Sequence, residues 1–86
     1  MMSEAENELK KLLESMVNHK VVLAFLHREE HDLREITGVL KSVHKNTITL
    51  VTYTDFGEKE ADYHLFRCGC TLVSVSDFGE VKGAES

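Results

Sequence analysis

Two cysteines, Cys68 and Cys70, stand one residue apart, and His64 lies just upstream of them. A thiol beside an imidazole is the minimum apparatus for nucleophilic catalysis, the imidazole taking the thiol proton. Cys68 with His64 is the nominal pair here. No third group is placed to orient the base, and no paired carboxylates offer general acid–base chemistry. A C-x-C pair also ligates metal, but a closed site needs about four ligands, and His19, His27, His31, His44 and His64 follow no ligand spacing. The sequence therefore predicts no enzyme, no metal and no cofactor. Neighbouring strand positions point to opposite faces, so the two cysteines make a poor disulfide. They are expected to pack as small apolar side chains at a tight turn, and reduced thiols fit a cytoplasmic or nuclear location.

The elements that hold these residues must come from 86 residues. A chain of that length buries only roughly 60–65% of its unfolded surface, which favours oligomerisation. No apolar run approaches the ~20 residues of a membrane span, and the N-terminus lacks the basic-then-apolar order of a secretory signal. An intracellular, unprocessed protein without a membrane partner is expected. The formal charge of -5 argues against duplex DNA as a partner, since phosphate neutralisation needs clustered Lys and Arg.

Ser3-Glu4-Ala5-Glu6 has the form of a capping box. Behind it Leu9, Leu12, Leu13, Met16 and Val17 recur at helical spacing, with Glu8, Lys10, Lys11 and Glu14 opposite. This predicts an amphipathic helix over about 4–17, packed on the chain's own sheet because its polar face is not basic. Five strands follow over about 20–76. Val21-Val22-Leu23-Ala24-Phe25-Leu26 is apolar on both faces. Residues 33–44 carry Gly38 in their middle, where a bend is expected. Residues 47–54 alternate Thr with apolar side chains, the Thr face turned toward solvent or a shallow groove. After a loop at 55–60 come strands at 61–67 and 71–76, joined through Cys68-Gly69-Cys70. Residues 1–78 form the folded unit, and the small polar stretch 79–86 reads as a disordered tail. The fold class is mainly β: a small Sm-like or SH3-type barrel, with an N-terminal helix before a strongly bent five-stranded antiparallel sheet. An OB-fold places a helix between its third and fourth strands, where this chain has a loop, and a typical SH3 barrel does not begin with a helix.

With that order of elements the chain resembles the Sm/LSm family, including its Hfq branch, over about residues 9–75. The family's first motif is echoed by residues 22–26, by Glu35-Ile36-Thr37-Gly38-Val39-Leu40-Lys41-Ser42-Val43, and by Ile48 and Leu50. The second is echoed by Phe66-Arg67-Cys68-Gly69-Cys70-Thr71-Leu72-Val73-Ser74-Val75. Where LSm proteins carry Asp and Asn after the bent strand, this chain has His44-Lys45-Asn46, without the Asp. The family's turn Arg corresponds to Arg67 or to Cys68, according to where one gap falls. Leu-Phe-Arg-Cys-Gly at 65–69, with a helix running straight into the first strand, also resembles the Sm-like Gemin subunits of the SMN complex.

The resemblance implies a function built on sheet edges. The expected role is an assembly subunit whose fourth strand (63–67) and fifth strand (72–75) pair with other Sm-fold chains, same or different, by β-augmentation in a ribonucleoprotein or snRNP-assembly complex. Tyr63, Leu65, Phe66, Leu72, Val73 and Val75 are its candidate interface residues. The alternative is a homo-oligomeric ring binding single-stranded U-rich RNA through His44, Lys45, Asn46 and Arg67, where a ring or guanidinium stacks a base and Asn46 reads its edge.

Overall fold

The computed structural model describes residues 4–65 and 69–81. The helix α1 (Glu4–Glu14) carries Glu4 and Glu6 in its first turn and Lys11 in its last, charges that complement the helix dipole. Ser3 of the capping box lies outside the described residues. Leu13 and Met16 are buried and Leu9 packs against the core, while Leu12 is half-exposed. The α-helix stops at Glu14 rather than near 17 because the chain tightens there. The Met16 and His19 amides donate to carbonyls only three residues back, Leu13 and Met16, at 2.9 Å each. Asn18 then adopts a left-handed φ of 73°, a conformation Asn tolerates at helix ends. Its amide donates to the Leu40 carbonyl at 2.7 Å, which ties the helix end to the sheet.

Five strands follow: β1 (His19–His27), β2 (Asp32–Val43), β3 (Thr47–Thr54), β4 (Gly57–His64) and β5 (Cys70–Glu80). They form one antiparallel sheet in the order β4-β3-β2-β1-β5. The fold is thus mainly β with one N-terminal helix, as expected, but the sheet is not closed into a barrel. Among the described residues no ladder joins β4 to β5, which end the sheet on opposite sides.

The long strand β2 serves two partners in turn. It pairs with β1 from Asp32 to Val39 and with β3 from Val39 to Val43. The handover falls beside Gly38, the glycine expected to mark a bend. A Cβ there would lie 3.0 Å from the Val51 carbonyl oxygen and 3.3 Å from both Leu50 Cβ and Thr52 Cγ2, so only glycine lets β3 approach this closely. Lys41 is bulged out between the pairs Leu40↔Leu50 and Ser42↔Thr49.

Strand alternation places the core on one face. Val21, Leu23 and Phe25 of β1, Leu40 of β2 and Ile48 and Leu50 of β3 pack with Leu13, Met16 and Leu65, and Ile36, Val43, Tyr63, Leu72 and Val75 surround them. Leu13, Val21, Leu23, Leu40, Ile48 and Leu50 are wholly buried; each such side chain contributes about 1.5–3 kcal/mol of transfer free energy. On the other face of β1, Ala24 is buried and Val22 and Leu26 are half-buried.

Four expectations change. The fourth strand begins at Gly57, not 61, because Asp55 and Phe56 alone make the turn and Gly57 supplies its positive φ of 112°. Glu58-Lys59-Glu60, read as loop for its charge, is strand at a sheet edge, where charge is common. The fifth strand continues to Glu80, since Gly79, with φ 94°, sits in a bulge and does not end it. Gly79, Glu80 and Val81 therefore belong to the fold, with the Val81 amide donating to the Asn18 carbonyl at 3.0 Å; residues 82–86 lie outside the described residues. Finally, the Thr face of β3 is not simply solvated. Thr49 is 7% exposed, because β4 brings a carboxylate to its hydroxyl.

Candidate functional site

Among the described residues, the outer edges of β4 and β5 pair with no other strand. Of the interface residues expected on the β4 side, Tyr63 is half-buried against the core and Leu65 belongs to it, so their side chains hold the edge in place from within. Phe66 lies outside the described residues. On β5, Leu72 and Val75 likewise turn inward and pack against the core. Val73 does the opposite. Ala24↔Ser74 is followed by Phe25↔Leu72, which leaves Val73 unpaired in a bulge and 50% exposed. A second irregularity, between His19↔Glu80 and Val21↔Asp77, accompanies the 65% exposure of Phe78. Phe78 was missed from sequence because a strand ending at 76 left it beyond the sheet. Phe56, fully exposed at the tip of the β3–β4 hairpin, was assigned to a loop.

Polar contacts fix both edges. Thr49 donates its hydroxyl hydrogen to Asp62 Oδ1 at 2.7 Å, tying β4 to β3 through side chains as well as backbone. That hydrogen is its only one, so toward His44 Nε2, 3.3 Å away, Thr49 can only accept. His44 Nε2 also lies 3.0 Å from Ser42 Oγ. Lys41 Nζ reaches Glu60 Oε1 at 2.8 Å, and this hydrogen bond, then the Glu60 charge, raises the lysine's pKa. On β5, Asp77 accepts the Gly79 amide at 2.8 Å and lies 2.9 Å from His19 Nδ1. The Gly79 amide first, and His19 second, hold the Asp77 carboxyl below the usual carboxylate value.

The expected RNA-contact residues are partly brought together. The Asn46 carbonyl accepts the Leu65 amide at 2.8 Å, which sets the β2–β3 turn against the start of the β4–β5 connection. Lys45 and Asn46 are exposed, whereas the His44 ring is engaged with Ser42 and Thr49. Arg67 lies outside the described residues, as does Cys68 of the nominal Cys68 and His64 pair. Among the described residues a thiol and an imidazole meet at Cys70 and His27, with Sγ 3.2 Å from Nδ1 across the β1–β5 register. Among the described residues no group of three or more His, Cys, Asp or Glu is arranged to hold a metal ion.

Compared with protein-family models, curated proteins and solved structures, the chain finds no match in any of the three. No helix among the described residues is long and apolar enough to cross a membrane.

Proposed function

We propose that this chain is an assembly subunit of Sm-like fold, pairing edge to edge with other Sm-like chains in a ribonucleoprotein or snRNP-assembly complex in the cytoplasm or nucleus. The observation that carries the reading is the order β4-β3-β2-β1-β5, in which two consecutive strands terminate opposite ends of the sheet, each with one edge unpaired among the described residues. Unpaired amides and carbonyls along a strand are a template for another strand. The exposed Val73 and Phe78 add apolar surface to that template on β5.

Charge bears on the choice of partner. β4 carries Glu58, Glu60 and Asp62 against Lys59, and β5 carries Asp77 and Glu80 with no Lys or Arg. Joining copies of this chain β4 to β5 sets acid near acid, which opposite-charge pairing on a different chain avoids.

A second reading, a homo-oligomeric ring on single-stranded U-rich RNA, draws on the Asn46–Leu65 hydrogen bond, which gathers one exposed Lys and one exposed Asn beside the β4–β5 connection. The engaged His44 ring and the formal charge of -5 weigh against it.

Light scattering on the chain alone and mixed with purified Sm-like chains tests the proposal. A low-order species alone and a stoichiometric complex in the mixture are expected. A closed five-, six- or sevenfold ring of the chain by itself would transfer the case to RNA binding, and no association of either kind would remove edge pairing.

A further inference from the structure

The β1–β2 turn closes onto the start of β5, where the Arg28 amide donates to the Gly69 carbonyl at 2.9 Å. Cys70 follows, paired with His27 in the β1–β5 register, its Sγ 3.2 Å from Nδ1. In the β1–β2 register His27 faces Asp32 and Phe25 faces Arg34, so strand alternation puts Cys70, His27, Phe25, Arg34 and Ile36 on one face. Tyr63 joins them from β4 by packing against the core. These six residues border a cavity of about 350 Å³, at the small end of the roughly 300–1,000 Å³ typical of ligand pockets. Glu35 and Asp62 also border it, but alternation turns their side chains to the other face, where Asp62 accepts the Thr49 hydroxyl.

A reactive cysteine needs a route to the thiolate and a route to its reagent. Cys70 has both: it is a free, half-buried thiol at the cavity wall, and with Nδ1 accepting, the imidazole takes its proton. The row Cys70–His27–Asp32 has the order of nucleophile, base and orienting acid. The last link is not made, because Asp32 Oδ2 lies 2.9 Å from Arg34 Nε, and Arg34 Nη2 lies 2.8 Å from Glu30 Oε2. The arrangement therefore suits one addition to the sulfur better than repeated turnover. The same ion pairs commit Arg34, whose pKa is raised chiefly by the Asp32 hydrogen bond and next by the Glu30 charge, so it offers little to an anionic ligand. The rest of the wall, Phe25, Ile36 and Tyr63, favours an apolar molecule without charge.

We propose that Cys70 is a modification site for a small neutral α,β-unsaturated carbonyl compound, with His27 as its base and Phe25, Ile36 and Tyr63 as the wall against which the reagent's apolar part rests. The sulfur bonds to the β-carbon as the carbon–carbon π pair moves toward the carbonyl, and the proton that His27 took from the thiol returns to the α-carbon. No leaving group, oxidant or reductant enters. A disulfide or haloalkane would instead expel an anion beside a guanidinium that is already paired. The site stands independently of edge pairing.

The test uses the whole chain carrying Cys68→Ser, so that Cys70 is its one thiol. It is treated with N-ethylmaleimide and, separately, with N-carboxymethylmaleimide, the same activated alkene bearing a carboxylate, and addition is timed by intact mass. Each rate is divided by that of N-acetylcysteinamide with the same reagent at the same pH. Cys70 should take one equivalent of the neutral reagent about tenfold faster than the model thiol, short of the roughly 10²–10⁴-fold of a fully oriented base, and several-fold faster than the charged one on the same scale. His27→Gln keeps a hydrogen-bond acceptor but cannot carry the proton, and should lose most of that advantage. In the adduct the Ile36 methyl and Tyr63 ring resonances should shift. A normalised rate equal to the model thiol's, equal normalised rates for the two maleimides, an unchanged rate in folded His27→Gln, or an adduct that leaves Ile36 and Tyr63 unmoved would each overturn the proposal. Where His27→Gln fails to fold, the two rate ratios and the shifts decide it.

Discussion

β4 holds one register against β3 along its whole length, from Thr47↔His64 to Thr54↔Gly57, whereas β5 slips twice against β1. The regular edge is the charged one, with Glu58, Lys59, Glu60 and Asp62, and Lys41 and Thr49 fasten it from neighbouring strands. The irregular edge carries the exposed apolar side chains, Val73 and Phe78. Charge and bulges are alternative ways of discouraging unwanted strand addition. The difference teaches that the two ends are not interchangeable. β4 is a straight, charged ladder, and β5 is a bulged one with exposed apolar side chains.

The substitution with the largest expected effect separates the two ends altogether. Gly38→Ala places a methyl 3.0 Å from the Val51 carbonyl, where backbone must shift. Overpacking of this kind costs about 1–3 kcal/mol, read as a lower urea midpoint, and the loss of exchange protection should concentrate where β2 passes from β1 to β3. Next, Thr49→Val strips β4 of its buried side-chain tie. It should cost about 1–2 kcal/mol and speed amide exchange in β4 while leaving β5 unchanged. If both edges loosen together, the ends are not independent.

Much of this architecture was legible in sequence because it rests on periodicity. The stripe of Leu9, Leu13 and Met16, the doubly apolar β1 and the glycine at the bend are all local patterns with one physical solution. What was not legible depends on pairing across the chain. The His44–Thr49–Asp62 chain of hydrogen bonds exists because the β3–β4 register sets Thr49 opposite Asp62. Cys70 meets His27 for the same reason in β1–β5. The two strand boundaries that moved furthest did so at positive-φ glycines, Gly57 and Gly79, which read as loop when the ladder around them cannot be seen. The interface residues were named for their place on the fourth and fifth strands and for their apolar character. The structure sorts them: Leu65, Leu72 and Val75 pack inward, and Val73 is turned out by a bulge that composition does not announce.

Smaller effects sharpen the contrast between the edges. Val73→Lys and Phe78→Lys replace exposed side chains, so each should change folding stability by no more than about 0.5 kcal/mol while abolishing any self-association through β5 in sedimentation. The same association surviving both changes would shift attention to β4. At acid pH the ends should also differ. Asp77's folded pKa is depressed below its ordinary 3.8, chiefly by the Gly79 amide and then by His19. A depressed carboxylate adds stability above its unfolded pKa and loses it as pH falls through the folded value. Asp77→Asn should therefore flatten the stability profile only below about pH 4, and thermal melts across that range would measure it.

The most direct test of the account is residue-resolved amide exchange on the isolated chain, at a concentration where light scattering gives the monomer mass of 9.8 kDa. Open edges predict that about every second amide along β4 and β5 exchanges far faster than the amides of β1, β2 and β3. Uniform protection through β4 and β5 would contradict the account, because it would mean that both edges are already satisfied within the chain and have nothing to offer a partner.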